Sequence, residues 1–257
     1  MDCGRVAGRE RTSPLSFLRP TVSIIIPALN EAACIGATLH AVAQLSGAVE
    51  VLLVDGDSDD DTCEIARAAG AKVISAARGR GVQLQRGARE ALGDVLWFLH
   101  ADTIVPLDGV KQIAEALSDP AVVAGNFNLH FSGSRRAARF MTWFYPQLRH
   151  VRLCYGDSAI FVRREAYDRV GGFKALPIFE DLDLIRNLRS IGKFVHLSST
   201  VTTSSRRFEQ RSFVLIFSRW VLLQSLYWLG ISPRRLARLY APSTAIRRKT
   251  RASETID

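Results

Sequence analysis

Three acidic sites and four arginines carry the chemistry that this sequence could perform. Asp55 follows the apolar run Val49–Val54 and precedes Gly56. A carboxylate there can accept hydrogen bonds from a base or a ribose, and glycine lets a ligand approach the backbone. The same Asp-Gly pair also makes an ordinary turn. His100 and Asp102 follow the apolar run Val95–Leu99. Alternate residues of an extended strand end point to one side, so both are expected to face one ligand. Asp102 would be a hard oxygen donor for Mg²⁺ or Mn²⁺, an ion able to neutralise a departing diphosphate; a helix cap and a structural histidine fit the same letters. Glu180 and Asp181 follow the apolar stretch Leu176–Phe179. Desolvation there would make a carboxylate a better base, although acids at a helix start also answer the helix dipole. Arg78, Arg80, Arg206 and Arg207 suit bidentate phosphate contacts, with Gly79 and Gly81 letting a loop fold around a ligand. Taken singly, each arginine reads as a solvated surface charge.

These positions need elements to hold them. Val22–Ile26 is a near-continuous β-branched run, the pattern of a strand covered on both faces, and Asn30 is placed to cap a helix from Glu31 to about Leu45. A strand at Val49–Val54, a helix opened by the acidic DSDDDT segment, a strand at Ala71–Ser75, a loop and helix over 78–92 and a strand at Val95–Leu99 follow. Strand–helix alternation with acids just past the strand ends predicts an α/β fold, a Rossmann-like, mostly parallel sheet flanked by helices. Ligands of such sheets sit beyond the carboxyl ends of the strands. The second half is less regular: helices at Leu107–Leu117, Ala137–Phe144, Arg164–Val170 and from Glu180 to about Ile191, and strands at Val122–Phe131, Ala159–Val162, Lys193–Leu197 and Val201–Thr203. Neither a P-loop nor a GxGxxG fingerprint occurs, which removes the usual marks of a P-loop ATPase or a classical dehydrogenase.

The totals exclude other classes. With 257 residues, 47% hydrophobic and 23% charged, the chain has the composition of a globular domain, not of a disordered or collagenous one. Cys3, Cys34, Cys63 and Cys154 include no CxxC pair, so they read as thiols in a reducing compartment. The net charge of +9 sits mostly at the ends: residues 1–20 carry +2, residues 231–257 carry +5, and the 210 residues between carry only +2. Such tails attract anionic surfaces of any kind. The first twenty residues lack a signal-peptide core and read as a flexible basic leader. Phe213–Ile231 is long enough to span a bilayer but holds Arg219 and Gln224, so a buried or surface-lying amphipathic helix is preferred. The expected organisation is a leader (1–20), one domain (21–210, with a nucleotide half to 105 and an acceptor half from 106), and an apolar helix with a basic tail (211–257).

Together SIIIPALNEA (23–32), VLLVDGDSDDDT (51–62), RGRGVQLQRGA (78–88), GDVLWFLHADT (93–103), YGDSAIFVRREAYDRVGGF (155–173) and FEDLDLIRNLR (179–189) resemble family 2 glycosyltransferases of the GT-A fold. These enzymes transfer sugars from nucleoside diphosphates. LHADT, YGD, LPIFEDLDL and the stretch from VTTSSRRF to SPRRLARLY resemble one bacterial subgroup, described as radical-SAM- or selenodomain-associated, or arsenosugar-biosynthesis, glycosyltransferases.

The resemblance implies a role for each matching position. Pro27, Leu29, Asn30 and Glu31 fall in the first nucleotide loop, and Asp55 matches the acid that contacts the base. Arg80 and Gln83 fall in the loop that closes over the nucleotide. Ala101 and Asp102 fall among the nucleotide-sugar contacts, Asp102 matching the last acid of the metal-binding DxD. Glu180 and Asp181 form the ED pair, with Asp181 as base, and Tyr155, Gly156 and Asp157 line the acceptor side. His100 departs from the family, which places the first Asp of DxD there; an imidazole still ligates metal and tilts preference toward Mn²⁺ over Mg²⁺. The processive QxxRW motif is absent, and Arg206-Arg207-Phe208 stands in that region, with either arginine expected to meet the diphosphate. The implied activity is inverting, metal-dependent single transfer from a nucleotide-sugar donor, UDP-linked by preference, to an unidentified hydroxyl acceptor. The protein would be cytoplasmic, with peripheral membrane contact through the C-terminal helix and tail, or a homodimer, among its expected associations; nucleic acid is not an expected partner. A nucleotidyltransferase and a catalytically silent nucleotide-sugar binder are the alternatives.

Overall fold

The computed structural model describes residues 21–206 and 212–240, apart from positions 48, 134 and 152. The first half alternates as β1 (Val22–Ala28), α1 (Ala32–Ala43), β2 (Val49–Asp55), α2 (Thr62–Ala68), β3 (Lys72–Ser75), α3 (Arg80–Glu90) and β4 (Val95–Phe98). The second half adds β5 (Thr103–Ile104), α4 (Gly109–Ala116), β6 (Val122–Ser132), α5 (Arg136–Gln147), β7 (Phe161–Arg163), α6 (Arg164–Arg169), α7 (Glu180–Ile191) and β8 (Lys193–Ser204). Two helices close the described chain, α8 (Phe213–Trp228) and α9 (Pro233–Tyr240). Among the described residues one eight-stranded sheet runs in the order β3-β2-β1-β4-β7-β6-β8-β5. Four pairings are parallel and three, all involving β7 or β5, are antiparallel.

The apolar runs are explained by two-sided burial. Ile24, Ile26, Leu53, Val95 and Trp97 enter one hydrophobic cluster, with Ile35 and Leu39 of α1 and Ile113 of α4. Ile25, Leu52, Val54, Leu96 and Phe98 enter the other, with Leu84 of α3 and Leu184 and Leu188 of α7. Successive side chains of a strand go to opposite faces, so a sheet covered by helices on both needs runs such as Val22–Ile26. β1, β2 and β4 all end at one edge, where Ala28, Asp55 and Phe98 hand over to loops.

Three local expectations are corrected. Asn30 does not cap α1: its φ is 56° and the N-cap is Glu31, without a side-chain cap bond. The predicted strands at 193–197 and 201–203 are one strand, because β8 pairs with β6 along its length and absorbs extra residues where Asn126 and Asn128 oppose His196 and Thr200. The chain after β4 is not extended. Thr103 N–H bonds back to the His100 carbonyl at 3.2 Å, so the alternation that would set His100 and Asp102 side by side does not apply.

Candidate active site

On the β1–β2 side, side chains lace two loops together. Asp55 is buried and accepts bonds from the Ser58 hydroxyl at 2.6 Å and the Asp57 N–H at 3.1 Å, closing its own turn. Asn30 Oδ1 accepts the Asp59 N–H at 2.8 Å, Ser58 Oγ accepts the Asn30 N–H at 2.9 Å, and Thr62 Oγ1 accepts the Glu31 N–H at 2.8 Å. Asp60 accepts the Ala32 N–H at 3.1 Å. Part of the acidic segment thus satisfies backbone donors of the first loop. Gln83 lies in α3, not in a loop, and its amide donates to the Ala28 and Val54 carbonyls, both at 2.8 Å. It sits directly beneath Gly56, where a Cβ would stand 3.1 Å from Gln83 Nε2. Arg78 donates to the Gly56 and Asp57 carbonyls at 3.2 and 2.9 Å. Pro27 is within β1, and Leu29 is exposed.

A second centre surrounds Asp102. Its carboxylate accepts the Thr203 hydroxyl at 3.2 Å and lies 3.7 Å from Arg206, which is also paired with Glu31. Burial raises the Asp102 pKa, opposed by the Arg206 charge and the Thr203 bond. Cys34 donates to Glu31 at 3.1 Å and its thiol is pushed up to about 12 by burial, the Glu31 bond adding to it, so it is no nucleophile. The Ala101 carbonyl is taken by the Thr38 hydroxyl at 2.8 Å. Arg207 lies outside the described residues.

The third centre is ionic. Phe179 adopts φ 62° and turns the chain into α7, putting Glu180 and Asp181 in its first turn. Arg80, delivered by α3 after Gly79 at φ 134°, bonds to Glu180 and, at 3.0 Å, to Asp181. Burial acts to lower the Arg80 pKa, but the two carboxylates prevail and raise it. Asp181, 3% exposed, also accepts the Gly156 N–H at 2.7 Å. A Cβ on Gly156 would meet that oxygen at 3.2 Å, so a larger residue here would press on the carboxylate. His100 Nε2 stands 3.1 Å from Arg80 Nη1. Arginine only donates, so this nitrogen is placed to accept. His100 and Asp102, foreseen together, thus belong to different centres.

Residues 155–158 are held from below. Asn126, 2% exposed, donates to Ser158 Oγ at 2.8 Å, and Ser158 donates to the Tyr155 carbonyl at 2.6 Å. His196 Nδ1 lies 2.5 Å from Asn126 Oδ1. Its pKa is lowered to about 4 by burial, then by Arg149 and Arg189. Tyr145 donates to Asp157. Sequence reasoning missed Tyr145, Asn126, Ser158 and His196; their only signal was polar letters inside apolar runs.

The donor set bears on which metal could sit here. Among the described residues no group of three or more His, Cys, Asp or Glu is placed to hold an ion. This rules out a closed zinc-like cage there. A partly exposed carboxylate such as Asp102, beside the Thr203 hydroxyl, fits a hard ion that takes its other ligands from phosphate and water.

The sheet, with acids beyond the ends of its strands, defines an α/β domain of the kind that takes its ligands at that edge. More narrowly, residues 23–175 match the Glycosyl transferase family 2 description, and the chain belongs to that family. Glucosyl-3-phosphoglycerate synthase of Mycolicibacterium smegmatis is 35% identical over 97 residues, 34% of this chain and 32% of that protein. 4,4'-Diaponeurosporenoate glycosyltransferase of Staphylococcus haemolyticus is 37% identical over 90 residues, 32% of this chain and 24% of that protein. The aligned stretch is therefore a third or less of those relatives' length. The solved glucosyl-3-phosphoglycerate synthase of Mycobacterium tuberculosis, in complex with Mn²⁺, UDP and glucosyl-3-phosphoglycerate, superposes with a TM-score of 0.60 at 22% identity. That match covers 83% of this chain and 81% of that one, a likeness of fold.

Proposed function

We propose that the protein is an inverting glycosyltransferase of the cytoplasmic side, moving one sugar from a UDP-linked donor to an acceptor hydroxyl without processive elongation. The observation that carries this reading is Asp181: a carboxylate 3% exposed, fixed by Gly156 and Arg80 next to the end of β4. The two relatives named above support sugar transfer, and the UDP held by the mycobacterial structure supports the donor class. The LHADT and YGD motifs support membership of the radical-SAM/selenodomain-associated subgroup.

Asp181 takes the proton of the acceptor hydroxyl, whose oxygen attacks the anomeric carbon as the bond to the diphosphate breaks on the opposite face. In the structure this carboxylate is bonded to Arg80. A diphosphate arriving beside α3 competes for the same guanidinium and frees the base. Tyr155, Gly156 and Asp157 form the acceptor wall. Asp102 would hold a divalent ion, Mn²⁺ or Mg²⁺, whose charge when bound offsets that of the leaving diphosphate; Arg206 assists. Asp55 and the loop of Pro27, Leu29, Asn30 and Glu31 hold the base and ribose.

Thermal unfolding with UDP, GDP, dTDP and CDP, each with and without Mn²⁺, tests the donor half, because a ligand specific to the native state raises the Tm. A metal-dependent rise with UDP, followed by sugar transfer or slow hydrolysis of a UDP-sugar, is expected. Pyrophosphate release from a nucleoside triphosphate and a sugar phosphate, or no response to any nucleotide, would overturn the reading.

A further inference from the structure

The residues of α8 that face outward repeat at helical spacing, and Val214, Leu215, Val221, Leu222 and Trp228, with Leu229 just past the helix end, are large, apolar and exposed by between 41% and 78%. A surface helix normally turns its polar side to water; here the outward stripe is apolar. Its two remaining members, Ser218 and Ser225, return their hydroxyls to the Val214 and Val221 carbonyls at 2.7 and 2.9 Å, so they offer little to water. Trp143 of α5, 63% exposed, adds to the surface through Phe140, which packs on Phe213 and Phe217 of α8.

Charge selects the occupant. From residue 210 to 253 the sequence has nine Arg or Lys and no Asp or Glu. Arg234, Arg235 and Arg238 of α9 are exposed. No helix among the described residues is long and apolar enough to cross a membrane. An apolar stripe on a segment whose charges are all cationic suits contact with an anionic lipid interface. A symmetric pairing of two copies would instead bring two acid-free basic segments together.

We propose that the outward face of α8, with Trp143, docks on an anionic lipid surface, the arginines around it meeting headgroup phosphates. This does not depend on what Asp181 does, yet the two are joined: from the inner face of α8, Gln224 accepts the Tyr155 hydroxyl at 2.7 Å and the Tyr227 ring lies 4.8 Å from that of Phe179. Docking therefore bears on the helix that braces both the Gly156 turn and the start of α7.

Sedimentation of the full chain with vesicles of phosphatidylcholine, alone or mixed with phosphatidylglycerol, tests the proposal. Binding to the mixed vesicles is expected, weakened about tenfold or more by the combined L215E, L222E and W228E changes at unaltered circular dichroism. Should that variant fail to fold, quenching of the unmodified protein's tryptophan fluorescence by lipids brominated in their acyl chains decides the matter, and quenching is expected. Absence of vesicle binding or of quenching would overturn the proposal. So would binding that survives the triple change but vanishes on removal of residues 242–257, which would assign it to the tail alone. A wild-type dimer that ignores vesicles and becomes monomeric in the triple variant would assign the stripe to a second copy.

Discussion

Asp102 and Asp181 both lie near the edge where β4 ends, and each has an arginine beside it, yet they are held in opposite ways. Asp181 accepts a backbone N–H at 2.7 Å and a guanidinium at 3.0 Å; Asp102 accepts one hydroxyl at 3.2 Å and sees its arginine at 3.7 Å. A group that must present one oxygen to a reacting proton benefits from fixed donors. A group that must exchange partners with a ligand benefits from loose ones. On the proposed reading, this difference sets the base apart from the ion holder where residue type does not, since both are aspartates.

The sharpest way to break this comparison is Asp181→Asn. The amide keeps the shape and loses the base, so transfer should fall by about a thousandfold while the nucleotide-induced Tm rise persists. Turnover close to wild type would remove the base role. Next comes Arg80→Ala, which leaves Glu180 and Asp181 buried without their shared cation. Breaking a buried pair is costly, and with Arg80 itself 36% exposed a loss of about 2–3 kcal/mol is expected in urea unfolding. An unchanged midpoint would mean that the two carboxylates do not depend on it. Asp102→Ala should then remove the Mn²⁺-dependent part of the nucleotide-induced Tm rise, a weakening of about tenfold to a hundredfold, without the stability loss of the Arg80 change. A metal response identical to wild type would end its assignment as ion holder.

The legibility of these centres in the sequence differs for the same physical reasons. The sheet was readable because two-sided burial leaves a continuous apolar run, and acids after such runs mark strand ends. Arg80 and Glu180 were readable as charges, but not as partners, since 100 residues separate them and only the docking of α3 against α7 brings them together. His100 was misplaced beside Asp102 because an alternation rule was applied to a segment that turns. Gln83 looked like a loop residue and proved to be a tie between two strand ends. β5 gives no signal of its own, being two residues that become a strand only by pairing with β8.

The smallest effect concerns the support beneath residues 155–158, which differs from both centres in being uncharged. His196 is held neutral, with its pKa lowered from 6.5 to about 4 by burial and by Arg149 and Arg189. The unfolded chain takes up this proton below its ordinary pKa while the folded one does not, so His196 contributes full stability above that value and loses it as the pH falls toward 4. Because the side chain is only half-buried, the loss is expected to be about 1 kcal/mol between about pH 7.5 and about pH 5, rather than the full shift. His196→Gln retains a donor for Asn126 without a titrating ring, and should flatten that part of the stability curve. If the slope persists in the variant, other groups set it, and the Asn126–Ser158 bonds alone hold the turn that presents the Gly156 N–H to Asp181.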